Sequence, residues 1–148
     1  MRKLSVFVAM FVLGASAALA MSGAEAIKAR RDLMKADGAA TKPVVAMLQG
    51  KAPFDLATVQ KALKTYQNAA SKEPALFPPD SKTGDTNALP VIWDDNNVAD
   101  LDARFKKMGE DATAALTTIK DEASFKATMP DVLKSCDGCH EKYHAKRQ

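Results

Sequence analysis

The sequence is poor in the residues that usually hold small exported domains together. It has two cysteines and two histidines among 148 residues, and aromatic residues make up only 6% of the chain. The two cysteines, at positions 136 and 139, lie within one short motif, so no spare pair is left for a structural disulfide. No nucleophile with an acid–base partner is evident either, which argues against an enzyme.

Residues 1–20 have the features of a cleaved export signal. Two basic residues at positions 2 and 3 precede a nearly uniform apolar run over 4–13, and an A-x-A cleavage site ends at Ala20. The apolar run is shorter than the roughly 20 residues that span a bilayer, so a transmembrane anchor is the weaker interpretation. We expect a mature domain of residues 21–148 with no membrane anchor after cleavage.

The charge of the mature chain is close to balanced. Removing residues 1–20 leaves 19 basic and 18 acidic residues, a formal charge of +1. There is no basic excess that would predict nucleic-acid binding. The 128 residues that remain suit one domain with a single core.

Cys136, Cys139 and His140 form a C-x-x-C-H motif, the spacing of a c-type haem attachment site. Two thiols three residues apart can form thioethers to the two vinyl groups of one porphyrin, and the adjacent histidine can ligate the iron. A thioredoxin-type redox pair is an alternative, but it requires a strand before a helix. A zinc site that adds His144 is another, although four ligands on nine residues of one helix suit tetrahedral geometry poorly.

Four segments carry apolar residues at helical spacing, and no strand-like alternation of any length occurs. These segments cover about 22–49, 55–72, 97–120 and 122–146, and a proline-rich connection lies between 74 and 96. Pro43 is expected to kink or split the first helix, and Pro130 is expected to disturb the fourth near its middle. The pattern predicts an all-α four-helix bundle with its haem in the interior, attached to the C-terminal helix.

The chain resembles the class II c-type cytochromes, the cytochrome c′ and cytochrome c-556 family, over essentially its whole mature length. The resemblance rests on the haem motif and on these segments: Arg30-Arg31-Asp32-Leu33-Met34, Thr41-Lys42-Pro43-Val44-Val45, Ala75-Leu76-Phe77-Pro78 and Pro90-Val91-Ile92-Trp93. It implies one covalently bound haem c per chain, a periplasmic location, periplasmic redox proteins as partners, and a homodimer as a common assembly.

The resemblance also assigns roles on the first helix. Met34 occupies the position that faces the distal side of the iron, so it is expected to be the second axial ligand beside His140. His/Met ligation raises the reduction potential and suits single-electron transfer. The alternative is a core methionine over a five-coordinate, high-spin iron that binds nitric oxide or carbon monoxide. Arg30, one turn earlier, is expected to contact a haem propionate, although a solvated surface arginine is the plain alternative.

Two features near the C-terminus stay open at this point. His144 lies where many cytochromes c′ carry an arginine, and it can stack, titrate or simply face water. Lys142, Lys146 and Arg147 form a basic end that either steers an acidic redox partner or is a solvated helix terminus. We expect a monohaem electron carrier, with the gas-binding cytochrome c′ as the alternative.

Overall fold

The computed structural model describes residues 21–145, and within that range the chain is helical with no strand. The four long helices are α1 (Gly23–Leu48), α2 (Leu56–Lys72), α3 (Asn97–Thr118) and α4 (Glu122–Tyr143). Three short 3-10 turns lie in the connection between α2 and α3, at Glu73–Leu76, Pro79–Ser81 and Pro90–Trp93. The prediction of an all-α four-helix bundle is confirmed. Residues 1–20, which are expected to be an export signal, and the last three residues lie outside the described range.

The helices begin at polar caps that the sequence supplies. Ser22 and Glu25 form a reciprocal capping box at the start of α1, and Asp121 and Ser124 form another at α4. The Asp55 side chain accepts a hydrogen bond from the backbone N–H of Thr58 at α2, as expected of that residue. Each cap satisfies backbone N–H groups that have no partner inside the helix.

The two prolines inside helices do not divide them, so the split that was one of the two predictions at Pro43 is wrong, and the disturbance predicted at Pro130 does not interrupt α4. Both α1 and α4 continue across these residues. A proline in a helix interior removes one hydrogen bond and costs about 3 kcal/mol. Here the residues that follow, Val44 after Pro43 and Val132 after Pro130, are buried, and this tertiary packing offsets the local penalty.

The main core lies at one end of the bundle and receives side chains from all four helices. Its buried members include Val44 and Met47 of α1, Leu63 and Tyr66 of α2, Ala112 and Ala115 of α3, and Phe125 and Met129 of α4. Residues of α1's second half therefore lie beside residues of α4's first half. The two helices run in opposite directions across this core.

A smaller core lies at the other end, under the proline-rich connection. It consists of the buried residues Ile92, Leu101, Phe105 and Tyr143, with Met34, Phe77, Ala88, Val91, Trp93 and Cys139 packed against it. Trp93 packs on this core, and its indole N–H donates to the carbonyl oxygen of Phe77 at 3.0 Å. Val98 is 44% exposed, because it lies in the first turn of α3.

The helices do not close into a complete ring. α2 packs extensively on α3 and on α1, and α3 packs on α4, but α1 and α4 have hardly any close backbone contact. The 3-10 turns Glu73–Leu76 and Pro79–Ser81 contact α1 instead. An open seam therefore runs between the first half of α1 and the second half of α4, beside the smaller core.

Candidate haem site

The C-x-x-C-H motif lies in the last two turns of α4, at the open seam. Cys136 and Cys139 are partly buried and carry free thiols, and Cys139 packs against the smaller core. His140, the next residue, is more exposed than either cysteine. Side chains at i, i+3 and i+4 lie on one helical face, so the two thiols and the imidazole are presented to the same ligand.

Met34 reaches the same core from the opposite side of the seam. It lies on α1, is partly exposed, and packs against the cluster that also holds Cys139 of α4. Met34 of α1 and Cys139 of α4 thus pack against the same apolar cluster, although the two helices share little backbone contact. That convergence is what a group inserted between α1 and α4 requires.

Arg30, one turn before Met34, is buried, so the interpretation of a solvated surface arginine is wrong. Only 5% of the residue is exposed. Its guanidinium Nη1 donates to the carbonyl oxygen of Leu76 at 2.6 Å and to Oγ of Ser81 at 2.8 Å, and Nη2 donates to Oγ1 of Thr86 at 3.2 Å. The same group lies 4.5 Å from the ring centroid of Phe77. Arg30 therefore ties α1 to the connection that covers the smaller core.

The sequence analysis did not identify two buried carboxyl groups that lie near the haem motif. Asp37 of α1 and Glu73 of the first 3-10 turn are 8% and 1% exposed, and Oδ1 of Asp37 and Oε1 of Glu73 have no hydrogen-bond partner. Burial raises the pKa of Asp37 to about 7 and that of Glu73 to about 8. Asp37 acts electrostatically on Cys136, and Glu73 acts on Cys139, so both border the motif.

Burial also shifts the ionisation of the motif itself. It raises the pKa of Cys136 to about 11, and it raises the pKa of Cys139 as well. Partial removal from water, with a smaller effect of the nearby His144, lowers the pKa of His140. The His140 and His144 rings lie 5.3 Å apart between centroids. A neutral imidazole is the form that binds a metal, so His140 is ready for ligation at neutral pH.

A polar network on α3 holds the end of α4 in place. Arg104 donates from Nη1 to the carbonyl oxygen of Gly138, inside the motif, at 2.9 Å, and from Nε to Asp100 at 2.7 Å. Asp100 also accepts hydrogen bonds from the Tyr143 hydroxyl and, at 3.1 Å, from Lys142. The hydrogen bonds of Arg104, Lys142 and Tyr143 hold the pKa of Asp100 far below its usual range. The motif is thus fixed from outside the seam as well as from within.

The residues present fit a haem and do not fit zinc. A porphyrin needs apolar surroundings, two thiols, an imidazole and polar groups nearby. The residues beside the seam supply these: apolar side chains of the smaller core, the free thiols of Cys136 and Cys139, the imidazole of His140 and two buried carboxyl groups. By contrast, no group of three or more His, Cys, Asp or Glu side chains converges as a metal site within residues 21–145. No helix in that range is long and apolar enough to cross a membrane.

A four-helix bundle with a C-x-x-C-H motif on its last helix is the architecture of a class II c-type cytochrome. Comparison with known proteins agrees: the family model described as Cytochrome C′ matches residues 25–144. The chain belongs to the cytochrome c′ family, whose members carry covalently bound haem c.

Relatives of both kinds within this family are similar to the chain. A cytochrome c′ of Rhodopseudomonas palustris is 47% identical over 98% of this chain and 97% of its own. A cytochrome c-556 of Agrobacterium fabrum is 33% identical over 98% of each chain. The solved structure of a Rhodopseudomonas palustris cytochrome c′ superposes with a TM-score of 0.79 at 51% identity, covering 83% of this chain and 98% of that one. The fold and the class are thereby shown.

Proposed function

We propose that this protein is a low-spin, monohaem electron carrier in which His140 and Met34 are the two axial ligands of the iron. Cys136 and Cys139 attach the haem through thioethers, and Arg30 is the group for a haem propionate. The bound haem supplies a one-electron centre. The proposal rests on one observation, the packing of Met34 and Cys139 from opposite helices against the same apolar cluster.

The ligand types suit electron transfer more than gas binding. A methionine thioether is a neutral, soft ligand that favours ferrous iron and raises the potential. A second axial ligand also leaves no free position for a diatomic gas. Phe77, Phe105 and Trp93 pack around this end of the bundle, with centroid distances of 6.0 Å from Phe77 to Trp93 and 6.1 Å from Phe77 to Phe105. With haem bound beside the smaller core, these rings would help to exclude water from it.

The other polar side chains position the haem helix and the haem edge. Arg104 holds the Gly138 carbonyl and so fixes the turn between the two cysteines. The Arg30 guanidinium is held among neutral oxygens of Leu76, Ser81 and Thr86. An arginine without a carboxylate in hydrogen-bond contact keeps its charge available for an anionic group such as a propionate.

The decisive experiment replaces the distal ligand. We expect Met34→Ala to convert the low-spin spectrum to a five-coordinate, high-spin one and to lower the reduction potential, because the thioether no longer binds. Absorption and electron paramagnetic resonance spectra of the oxidised protein measure this change. Met47→Ala, which removes a core methionine away from the motif, is the control. A low-spin spectrum that survives Met34→Ala excludes Met34 as the ligand.

The second candidate is a high-spin cytochrome c′ that binds nitric oxide or carbon monoxide. It is favoured by the similarity to the cytochrome c′ of Rhodopseudomonas palustris, at 47% identity. In that case Met34 only packs over an open iron. Carbon monoxide added to the reduced protein separates the two candidates: rapid, tight binding to a five-coordinate protein supports this one.

The cellular setting follows from the export signal and the family. We propose cleavage after Ala20, attachment of the haem in the periplasm, and exchange of electrons there with other redox proteins. A homodimer is the proposed assembly. Mass spectrometry of the secreted chain checks the cleavage site and one haem per chain, and analytical ultracentrifugation checks the dimer. A periplasmic chain that still carries residues 1–20 contradicts the cleavage.

A further inference from the structure

Glu73 is a buried carboxylic acid that neither haem attachment nor iron ligation uses. It begins the 3-10 turn Glu73–Leu76 directly after α2, is 1% exposed, and its Oε1 has no hydrogen-bond partner. Buried carboxylates are normally compensated by hydrogen bonds or an ion pair. Without these, the neutral, protonated form is favoured, so a small change in the surrounding charge decides whether the proton stays.

The 3-10 turn that carries Glu73 packs against α1, α2 and α3. From α1, Arg30 donates to the carbonyl oxygen of Leu76 in the same 3-10 turn, and Arg30 and Asp37 both act electrostatically on Glu73. Burial raises the pKa of Glu73 to about 8; the positive charge of Arg30 opposes this shift and Asp37 adds to it. Arg30 nevertheless makes no ion pair with Glu73, because its hydrogen bonds go to neutral oxygens.

Beyond Leu76, the chain continues from this turn into Phe77, which packs against the smaller core together with Met34 and Cys139. Glu73 also acts electrostatically on Cys139, as do Arg104 and Asp100 of α3. The Cys139 sulfur would become a thioether when haem is attached and would then no longer titrate. In the holoprotein, Arg30 and Asp37 would remain as the protein charges that act on Glu73, and a haem beside the smaller core would add its own charge.

We propose that Glu73 is a redox-linked proton site, which takes up one proton when the protein gains its electron and releases it when the electron leaves. This inference rests on the proposed electron-carrier function. In the coupled step a one-electron donor reduces ferric iron to ferrous iron, and a proton from bulk water forms an O–H bond on the Glu73 carboxylate. Reduction removes one positive charge near a carboxylate in a medium of low dielectric, which weakens the anion relative to the acid.

The measurable consequence is a reduction potential that falls as the pH rises. For full coupling of one proton to one electron, each tenfold fall in proton concentration lowers the potential by about 59 mV. We expect the potential of the wild-type holoprotein to fall with rising pH in the region around pH 8, by at most this slope. Haem propionates also titrate, so only the part of the slope that a Glu73 variant removes belongs to Glu73.

The experiment is a redox titration of the holoprotein at a series of pH values. Glu73→Gln keeps the size and hydrogen-bonding capacity but cannot ionise, and we expect it to lose most of the slope while the absorption spectrum stays unchanged. Glu110→Gln, an exposed residue of α3, is the matched control and should keep the wild-type slope. Asp37→Asn tests the other buried carboxyl.

Each outcome decides the inference. A wild-type slope in Glu73→Gln, or its loss in Asp37→Asn alone, overturns it. If Glu73→Gln does not fold, proton uptake by the wild-type protein on reduction, followed with a pH indicator in weak buffer, replaces the variant: no uptake overturns the inference. A failure of Met34 ligation alters the spectrum, whereas a failure of the proton site alters only the pH slope, so the two are told apart.

Discussion

Asp37 shows how strongly one buried residue can make this bundle sensitive to pH. It lies on α1, one turn after Met34, and its side-chain Oδ1 has no partner, although its backbone carbonyl accepts a hydrogen bond from Thr41 at 2.8 Å. Burial raises its pKa to about 7. The folded protein therefore keeps a proton on Asp37 at pH values where the unfolded chain has lost it.

Because the pKa of Asp37 is raised in the folded state, the direction in which this residue makes stability depend on pH is fixed. Between about pH 4 and pH 7 the folded state binds more protons than the unfolded state, so the free energy of unfolding falls as the pH rises, by at most about 1.4 kcal/mol per pH unit for one proton. We expect Asp37→Asn to remove this part of the decline. Urea unfolding at half-unit intervals of pH measures it, with the exposed Asp102→Asn as control. An unchanged decline in Asp37→Asn contradicts the prediction.

At the scale of the helices, a few residues at an N-terminus can affect the stability of the whole helix, as the capping box of α4 illustrates. Asp121 accepts a hydrogen bond from the backbone N–H of Ser124 at 2.8 Å, and the Ser124 hydroxyl accepts one from the N–H of Asp121 at 3.1 Å. This box begins α4, the helix that carries the haem motif at its other end. Loss of the capping box would let the N-terminal turn of α4, next to the main core, unwind, while the haem motif near the C-terminus of the helix would stay intact.

We therefore expect Asp121→Ala to destabilise the protein by about 1 kcal/mol, the typical value for the loss of a helix cap. The haem spectrum should not change, because the substitution lies at the opposite end of α4. Denaturant unfolding with absorption as a second readout measures both effects. Asp121→Asn keeps a hydrogen-bond acceptor and should lose much less. Equal losses for Ala and Asn would assign the effect to the charge and not to the cap.

The helices could be predicted from the sequence more fully than the buried polar residues around the candidate haem site. The starts of α1, α2 and α4 follow from Ser22, Asp55 and Asp121, since caps are local signals. Burial along α1 was harder to predict from the sequence, since Asp37 is buried whereas its neighbour Gly38 is exposed. Burial of a carboxyl depends on what covers it, and no local pattern encodes that.

The same limit applies to Arg30 and Glu73. Their environment is made by the connection between α2 and α3, where Leu76, Ser81 and Thr86 bring oxygens to the guanidinium. These contacts join residues about 50 positions apart in the chain. The haem-attachment motif could be recognised from the sequence because all its residues lie within five consecutive positions. Ligation of the iron by Met34 stays a prediction, because it depends on how α1 and α4 are placed on either side of a cofactor.

At the scale of the whole molecule, the haem is expected to complete the bundle. α2 and α3 form its most extensive helix pair, α1 and α4 flank them, and hardly any close backbone contact joins α1 to α4. The main core joins all four helices at one end. Beside the smaller core, covalent attachment through Cys136 and Cys139 would supply the missing contact across the seam, since a ligand that binds only the folded state stabilises it.

This arrangement predicts where the haem-free protein opens. We expect the double variant Cys136→Ser with Cys139→Ser, which cannot attach haem, to lose amide protection first in residues 23–37 and 136–143, because these segments border the seam, where α1 and α4 share hardly any backbone contact. Protection in α2 and α3 should persist, since their mutual packing does not involve the haem. Hydrogen exchange followed by mass spectrometry compares the variant with the holoprotein, segment by segment. Equal loss of protection in all four helices would mean that the bundle opens as one cooperative unit and that the seam is not its weak point.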